Sequence, residues 1–245
     1  MEIFILGFFA VGYLVLAGAD IGVGMLLPYL GRDLDERREV IAAIAPFFLG
    51  NEVWLVATGG VLAGLFPHVE GELMGGPGFL AVVGLLAAWI VRDMGLWLRG
   101  RVPGARWRAF WDGAIVAGSW GLALAWGTLL SGLLLDVSWP AAVLPALAVA
   151  ALFGTHGLAF ASLRLTGALR ERARVLSPGD GELRTYALTA GALAAVGLLA
   201  GSGLHLEAAN GWLTPVILVL IPFLVASQAW VWWTFRHRVT GPSYL

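Results

Sequence analysis

The sequence predicts an all-α integral membrane protein, and three observations lead to that fold class. Hydrophobic residues make up 59% of the chain and charged residues 13%, against about 25% charged in soluble domains. Mean hydropathy is +0.84, and apolar runs of about 20 residues, long enough to cross some 30 Å of hydrocarbon, recur along the chain. These runs are continuous rather than alternating, which indicates helices and not a closed barrel.

The apolar runs predict about seven transmembrane helices, at residues 3–30, 40–66, 77–98, 107–135, 139–163, 183–204 and 212–235. Every basic residue is an arginine, and all 15 lie in or close to alternate connections between these spans. The other connections carry only acidic charge, at Glu70, Glu72, Asp136 and Glu207. The positive-inside rule therefore predicts an amino terminus outside the cell and a cytoplasmic carboxyl terminus.

Span one ends in a glycine-rich segment, GADIGVGM at residues 18–25, that contains one carboxyl group. Glycines allow another helix to approach closely, and Asp20 shares a face with Gly24. We therefore expect Asp20 to meet a neighbouring helix. It either locks the bundle through hydrogen bonds or takes part in proton or quinone chemistry.

Span two places Asn51 and Glu52 side by side in an apolar run. A charge at the centre of a membrane helix costs roughly 2.5–3.5 kcal/mol, so an ionisable residue there indicates function or a paired structural group. Glu52 lies about 13 residues from the predicted inner end of its span, near the bilayer midplane. Its two interpretations are a buried hydrogen bond, to Asn51 or to a partner chain, and a protonatable relay site.

Three further polar residues lie in or near the spans. Arg92 is expected to extend its side chain to the inner interface. Asp112, expected in the first turn of its helix, is either a structural carboxylate favoured by the helix dipole or a proton entry point. His156 is the only histidine deep in a span. A lone histidine is more often a hydrogen-bonded packing residue than a haem ligand, and we interpret it and Arg92 as structural.

The absence of cysteine excludes disulfides, thiolate metal sites and covalently attached c-type haem. We predict no metal site in this chain. We also assign it no catalytic residue and expect no nucleic-acid partner.

Several dispersed motifs together resemble subunit II of cytochrome bd-type quinol oxidases. They are the segment at 18–25, ERR at 36–38, IAP at 44–46, GNEVWL at 50–55 with Gly59 and Gly60, RWR at 106–108 followed by WD at 111–112, and GS at 118–119. Their order and spacing also fit. The resemblance covers residues 18–132 most strongly, continues through 155–157 and 166–167, and returns in the tail at 230–245.

The resemblance implies a respiratory complex in a bacterial or archaeal cell membrane that oxidises quinol and reduces dioxygen to water. In this family haems b and d, or related haems, belong to subunit I, so none is expected here. Subunit II stabilises that haem-bearing partner and helps to line proton and oxygen routes. A structural quinone, membrane lipid and a small accessory subunit are the further partners expected.

Residue by residue, the resemblance implies that Asp20 matches the family's acid in span one and that Trp54 matches a tryptophan near the oxygen route. The family often has an aromatic-acid pair before the Gly-Asn of span two, where this chain has Phe48 and Leu49. Glu52 is a candidate replacement for that missing acid. Together Asp20, Asn51, Glu52 and Asp112 are the candidates for the proton pathway or for buried polar contacts.

The number of spans also differs from the family that the chain resembles, because family members usually have eight or nine spans in two four-helix bundles. We expect a first four-helix bundle at residues 1–136 and a shortened second bundle at 137–245, in one continuous membrane domain. Two other function classes stay open. A proton-coupled transporter would show matching inverted halves, which the sequence lacks, and a scaffold subunit would use its polar groups only to fix helix register.

Overall fold

The computed structural model describes residues 1–76, 78–138, 140–176, 181–202, 204, 206–209 and 211–241. Within them it contains α-helices and two short 3₁₀ helices and no strands. The predicted first residues of spans three and five (Pro77 and Trp139), the loop residues 177–180 and the tail residues 242–245 lie outside the described residues, as does the side chain of Glu72.

The α-helices are α1 (Glu2–Met25), α2 (Leu27–Leu30), α3 (Leu34–Ile44), α4 (Phe48–Leu65), α5 (Pro67–Gly75), α6 (Phe79–Leu98), α7 (Ala105–Leu135), α8 (Val143–Arg164), α9 (Gly167–Ala173), α10 (Glu182–Gly201) and α11 (Thr214–Thr234).

Seven of the described helices are long and apolar enough to cross a membrane, which confirms the predicted fold class and number of spans. They are α1, α4, α6, α7, α8, α10 and α11, the last with the turn that precedes it. The short helices α2, α3, α5 and α9 lie in the connections.

Predicted span two is not one helix, and this changes the position of Glu52. α3 ends at Ile44 and α4 begins at Phe48, with Pro46 between them, because a proline lacks the N–H that would continue the helix. Glu52 therefore lies only four residues, about 6 Å at 1.5 Å per residue, beyond the first residue of α4. The predicted distance of 13 residues from the helix end is wrong.

Helix α1 is the centre of the bundle. It packs against α4 and α7 and also against α8 and α10. Its contact with α8 depends on two glycines, since a Cβ on Gly22 would overlap the carbonyl oxygen of Phe153 and one on Gly157 would overlap the backbone of Gly22. Because α1 contacts helices on both sides of residue 136, the division into two bundles stays a prediction.

One end of the bundle collects the arginines, and we call it the arginine-rich end. There α1, α6, α8 and α11 end and α4, α7 and α10 begin, and the connections at residues 31–33, 99–104 and 165–176 carry arginines. Charged side chains also tie these connections together. The Glu36 carboxylate accepts hydrogen bonds from both terminal nitrogens of Arg172, at 2.7 and 2.5 Å.

Candidate functional site

The side chain of Arg92 lies inside the bundle, six residues before the end of α6. It is 2% exposed, and its guanidinium carbon lies 5.9 Å from the ring centroid of Phe48. The expectation that Arg92 extends to the membrane interface is therefore wrong. The reason is that buried carboxylates on α1 and α4 face this arginine, so its charge is neutralised within the protein and not by water.

Three carboxylates surround the Arg92 guanidinium. Its Nη2 lies 2.9 Å from Asp20 Oδ1, and its Nη1 lies 3.3 Å from both Glu52 Oε1 and Asp93 Oδ1. One positive charge thus faces three acids, so full ionisation would leave two negative charges of this cluster uncompensated. Uncompensated charge is costly in a protein interior, and sharing of protons among close carboxyl groups relieves it. The Arg92 cluster, defined by these four residues, has the composition of a site that holds and exchanges protons.

A chain of amide groups continues the Arg92 cluster toward α11. The Asn51 side-chain nitrogen donates to Asp20 Oδ2 and to the carbonyl oxygen of Leu16, each at 3.0 Å. The Asn51 oxygen accepts from Gln228 at 2.9 Å, and Trp54 Nε1 donates to the Gln228 oxygen at 3.4 Å. These hydrogen bonds connect three helices, α1, α4 and α11, through buried polar groups, and the ion pair of Arg92 with Asp20 adds α6.

Close packing of α6 on α7 fixes the position of Arg92. A Cβ on Gly118 of α7 would lie 2.6 Å from the backbone nitrogen of Arg92 and 2.7 Å from the carbonyl oxygen of Ala88. Only glycine allows the two helices to lie this close. Arg92 Nε has no hydrogen-bond partner among the described residues, so the guanidinium is held mainly by its ion pairs.

Asp93 connects the Arg92 cluster to the outside of the bundle. Its side chain is 19% exposed and lines an open groove of about 360 Å³ on the outer face of α6. The other lining residues are Trp89, Ile90, Met94, Trp97 and Leu98. The groove is otherwise apolar, and Asp93 is the residue of the Arg92 cluster that lines it.

Asp112 belongs to a separate ion-pair group at the arginine-rich end. Arg99 Nε donates to its Oδ1 at 2.5 Å, and Arg37 Nη1 donates to its Oδ2 at 3.3 Å. Asp112 is the eighth residue of α7, which begins at Ala105, and the helix dipole acts mainly on the first turn. The expected first-turn position is therefore wrong, and arginines on two other segments neutralise this carboxylate instead.

His156 is fully buried and both of its ring nitrogens have partners. Nε2 lies 3.0 Å from the carbonyl oxygen of Val15, and Nδ1 lies 2.8 Å from the Thr189 hydroxyl. The ring also stacks on Tyr186, with 4.8 Å between centroids. A carbonyl oxygen can only accept, so Nε2 carries a proton and donates it.

Sequence reasoning did not predict the part that Arg37, Asp93, Arg99 and Gln228 take in these groups. Asp93 and Arg99 sit beside arginines and near the membrane interface, where charged residues are common. Gln228 carried a usable signal, because an amide in an apolar run needs a partner just as Asn51 does. Which partner it finds depends on the approach of α11 to α4, and no local pattern specifies that.

A polytopic helical membrane protein with ionisable groups inside its spans is the class that this fold and site define. Within that class, the family model of cytochrome bd terminal oxidase subunit II matches residues 1–209. The chain therefore belongs to this family, and the resemblance carried by its motifs is confirmed.

Individual relatives agree with the family match. The chain is similar to a probable cytochrome oxidase subunit 2 of Haemophilus influenzae, 33% identical over 68% of this chain and 49% of the relative. It is similar to the cytochrome bd-I ubiquinol oxidase subunit 2 of Escherichia coli, 37% identical over 54% of this chain and 36% of the relative. It is also similar to the cytochrome bd ubiquinol oxidase subunit 2 of Bacillus subtilis, 32% identical over 68% of this chain and 54% of the relative. The chain thus spans about half the length of the curated relatives it matches, or less.

Proposed function

We propose that this chain is a subunit of a membrane complex that oxidises quinol and reduces dioxygen to water. The family match over residues 1–209 carries the proposal, and relatives named as ubiquinol oxidase subunits support it. The chain stabilises a haem-bearing subunit I in a bacterial or archaeal cell membrane. Its amino terminus is outside, because the arginine-rich end belongs on the cytoplasmic side.

The Arg92 cluster is proposed to support proton access in that complex. Three acids around one cation allow a proton to be taken up and released with little reorganisation, because Arg92 stays charged throughout. Glu52 and Asp93 face the same nitrogen, Arg92 Nη1. A proton that enters at the partly exposed Asp93 therefore has Glu52 as its next acceptor, and Asp20 lies beyond the guanidinium. Asp112 is a second candidate entry point, nearer the arginine-rich end.

Trp54 is proposed to line an apolar route for dioxygen. Its side chain is buried, with ring centroids 5.1 Å from Phe8 and 6.1 Å from Phe9. These aromatic contacts support the proposal, because dioxygen is apolar and moves through apolar interiors.

We infer that this chain does not ligate haem through His156. Iron ligation needs a free ring nitrogen, whereas Nε2 donates to a backbone carbonyl and Nδ1 faces a hydroxyl. The residues around this histidine do not fit a haem. Haems b and d, or related haems, would then belong to the partner subunit, and a structural quinone stays a prediction.

The outward faces of α10 and α11 suggest where other components lie. Much of α11 is exposed and apolar, including Val219 at 64% and Phe223 at 69%. Lipid or a small accessory subunit would cover such a face in the membrane.

Two alternative functions make different predictions. In a proton-coupled transporter built from inverted repeats, acids would recur in the second half, but α8, α10 and α11 contain a single carboxylate, Glu182, at the first residue of α10. A scaffold subunit would keep turnover after loss of its buried acids, provided that it assembled. The charge imbalance of the Arg92 cluster favours the proton role over a scaffold.

Purification from the native membrane tests the proposed complex. We expect the tagged chain to carry a larger second subunit, b- and d-type haem bands in a reduced-minus-oxidised spectrum, and quinol-dependent oxygen uptake. A colourless chain that purifies alone would contradict the proposal and favour a transporter.

A further inference from the structure

A second pocket lies at the arginine-rich end, away from the Arg92 cluster. Its volume is about 320 Å³, room for roughly ten water molecules at ~30 Å³ each, and it opens to the surface. The turn between α3 and α4, the end of α8 and the segment after α11 enclose it. Its polar lining consists of Arg164, Thr234, His237, Arg238 and Thr240.

Arg164 is a buried cation without a carboxylate partner in the part of the chain that the structure describes. It is 6% exposed, and its guanidinium carbon lies 5.1 Å from the ring centroid of Phe47. Its Nε has no hydrogen-bond partner there either. A buried, unpaired guanidinium is costly, which indicates that an anion from outside these residues completes the site.

Glu182, a buried carboxylate at the arginine-rich end, is already shared among other arginines. Glu182 pairs with Arg238 at 2.9 Å, with Arg170 at 2.8 Å and with Arg174 at 3.0 Å. One negative charge therefore faces three positive ones, and none remains for Arg164. The exposed Glu171 pairs with Arg174 at 3.3 Å. The pocket wall thus has an excess of positive charge.

Backbone contacts hold the pocket wall in place. Arg238 Nη1 donates to the carbonyl oxygens of Ser162 and Leu165, at 2.6 and 2.9 Å. The Val239 N–H donates to the Arg164 carbonyl oxygen at 2.7 Å, and the Thr166 hydroxyl donates to the Val239 carbonyl oxygen at 3.1 Å. The segment after α11 is therefore tied to the end of α8, and the two arginines keep a fixed spacing.

We propose that this pocket binds a phosphate group, carried by an anionic lipid headgroup. Guanidinium groups match phosphate oxygens in geometry and charge, and basic pockets near the cytoplasmic interface bind anionic lipid headgroups. The exposed tryptophans Trp230 and Trp233 near the end of α11 are typical of the headgroup level. This depth favours a lipid over free phosphate as the source of the ligand.

The test titrates the purified chain, with the subunits that it retains, with phosphatidylglycerol and follows binding by native mass spectrometry. A neutral glycolipid with the same acyl chains is the lipid control, and inorganic phosphate with thermal unfolding is the second arm. We expect Arg164→Gln to lower the phosphatidylglycerol affinity tenfold or more. Arg236→Gln is the matched control, because Arg236 is exposed at the same end and does not line the pocket.

Thr240→Glu keeps the test valid if Arg164→Gln does not fold. Thr240 is exposed and lines the pocket, so a carboxylate there would pair with the arginines and exclude phosphate without loss of packing. We expect Thr240→Glu to bind tenfold more weakly and Thr240→Gln to bind like the wild type. If inorganic phosphate, and not phosphatidylglycerol, raised the unfolding temperature of the wild type, and Thr240→Glu abolished this effect, the pocket would bind free phosphate instead of a lipid headgroup. Equal binding of phosphatidylglycerol and phosphate by wild type and both pocket variants would overturn the proposal.

Discussion

Arg92 on α6 and Asp20 on α1 form an ion pair of 2.9 Å inside the bundle, with both side chains 2% exposed. This pair joins a helix at the surface of the bundle to the central one. It also explains why neither charge is neutralised by water. The two buried side chains neutralise each other's charge, so the stability of the bundle should depend on this ion pair.

Arg92→Met should destabilise the protein by about 3–5 kcal/mol, because it leaves buried carboxylates without their cation. Thermal unfolding in mild detergent measures this effect, with the exposed Arg101→Met as control. The triple variant Arg92→Met, Asp20→Asn, Glu52→Gln should recover part of the loss, since it removes the cation together with the two more deeply buried of its three carboxylates. Equal stability of Arg92→Met and wild type would show that Arg92 is not needed to neutralise the buried carboxylates.

Gln228→Leu should cost about 1–3 kcal/mol, because the Asn51 oxygen and Trp54 Nε1 would both lose a buried hydrogen-bond partner. The matched control is Ser227→Ala, since this exposed hydroxyl only donates to the carbonyl oxygen of Leu224 within α11. Thermal unfolding compares the two variants. If Gln228→Leu lost no more stability than Ser227→Ala, the chain of amide groups would not be what holds α11 to α4.

Gly118→Ala should separate α6 from α7, because its Cβ would lie 2.6 Å from the Arg92 backbone nitrogen. Overpacking of this kind costs about 1–3 kcal/mol. Gly113→Ala on the same helix is the control, since nothing lies within 4 Å of a Cβ there. If both variants unfolded at the same temperature, close helix contact would not be what positions Arg92.

Acid should weaken the contact between Glu36 and Arg172. The hydrogen bond from Arg172, with one from the Arg32 backbone, lowers the Glu36 pKa from 4.5 to about 2. A lowered folded-state pKa stabilises the fold fully above pH 4.5 and loses that effect as pH falls toward 2.

Glu36→Gln should therefore lower stability at neutral pH, by about 1 kcal/mol for this partly exposed pair. The difference from wild type should shrink as pH falls below about 4.5. Unfolding temperatures of both proteins between pH 7 and pH 3 measure it. A difference that stays constant over this range would contradict the assignment. Glu39→Gln, a neighbouring glutamate on α3, is the control.

The number of spans was predictable because apolar length alone decides whether a helix crosses the membrane. The break at Pro46 was not predicted, since the apolar run continues through it and a proline can also kink a helix without ending it. The polar pairs were the least predictable part. Asp20 and Glu52 were recognised by the cost of burial, but their shared partner Arg92 lies 40 residues beyond Glu52 and looked like an interfacial residue.

We propose that protons pass through the Arg92 cluster in a quinol oxidase. The most direct measurement is proton uptake and oxygen consumption by purified complexes that contain Glu52→Gln, with Glu70→Gln on α5 as control. Glu52→Gln removes one of three acids around a single arginine, so the complex should assemble with its haems intact. We predict that its proton uptake and turnover fall at least tenfold while the control stays at wild-type level. Full proton uptake and turnover in an assembled Glu52→Gln complex would contradict the claim and leave Glu52 a structural partner of Arg92.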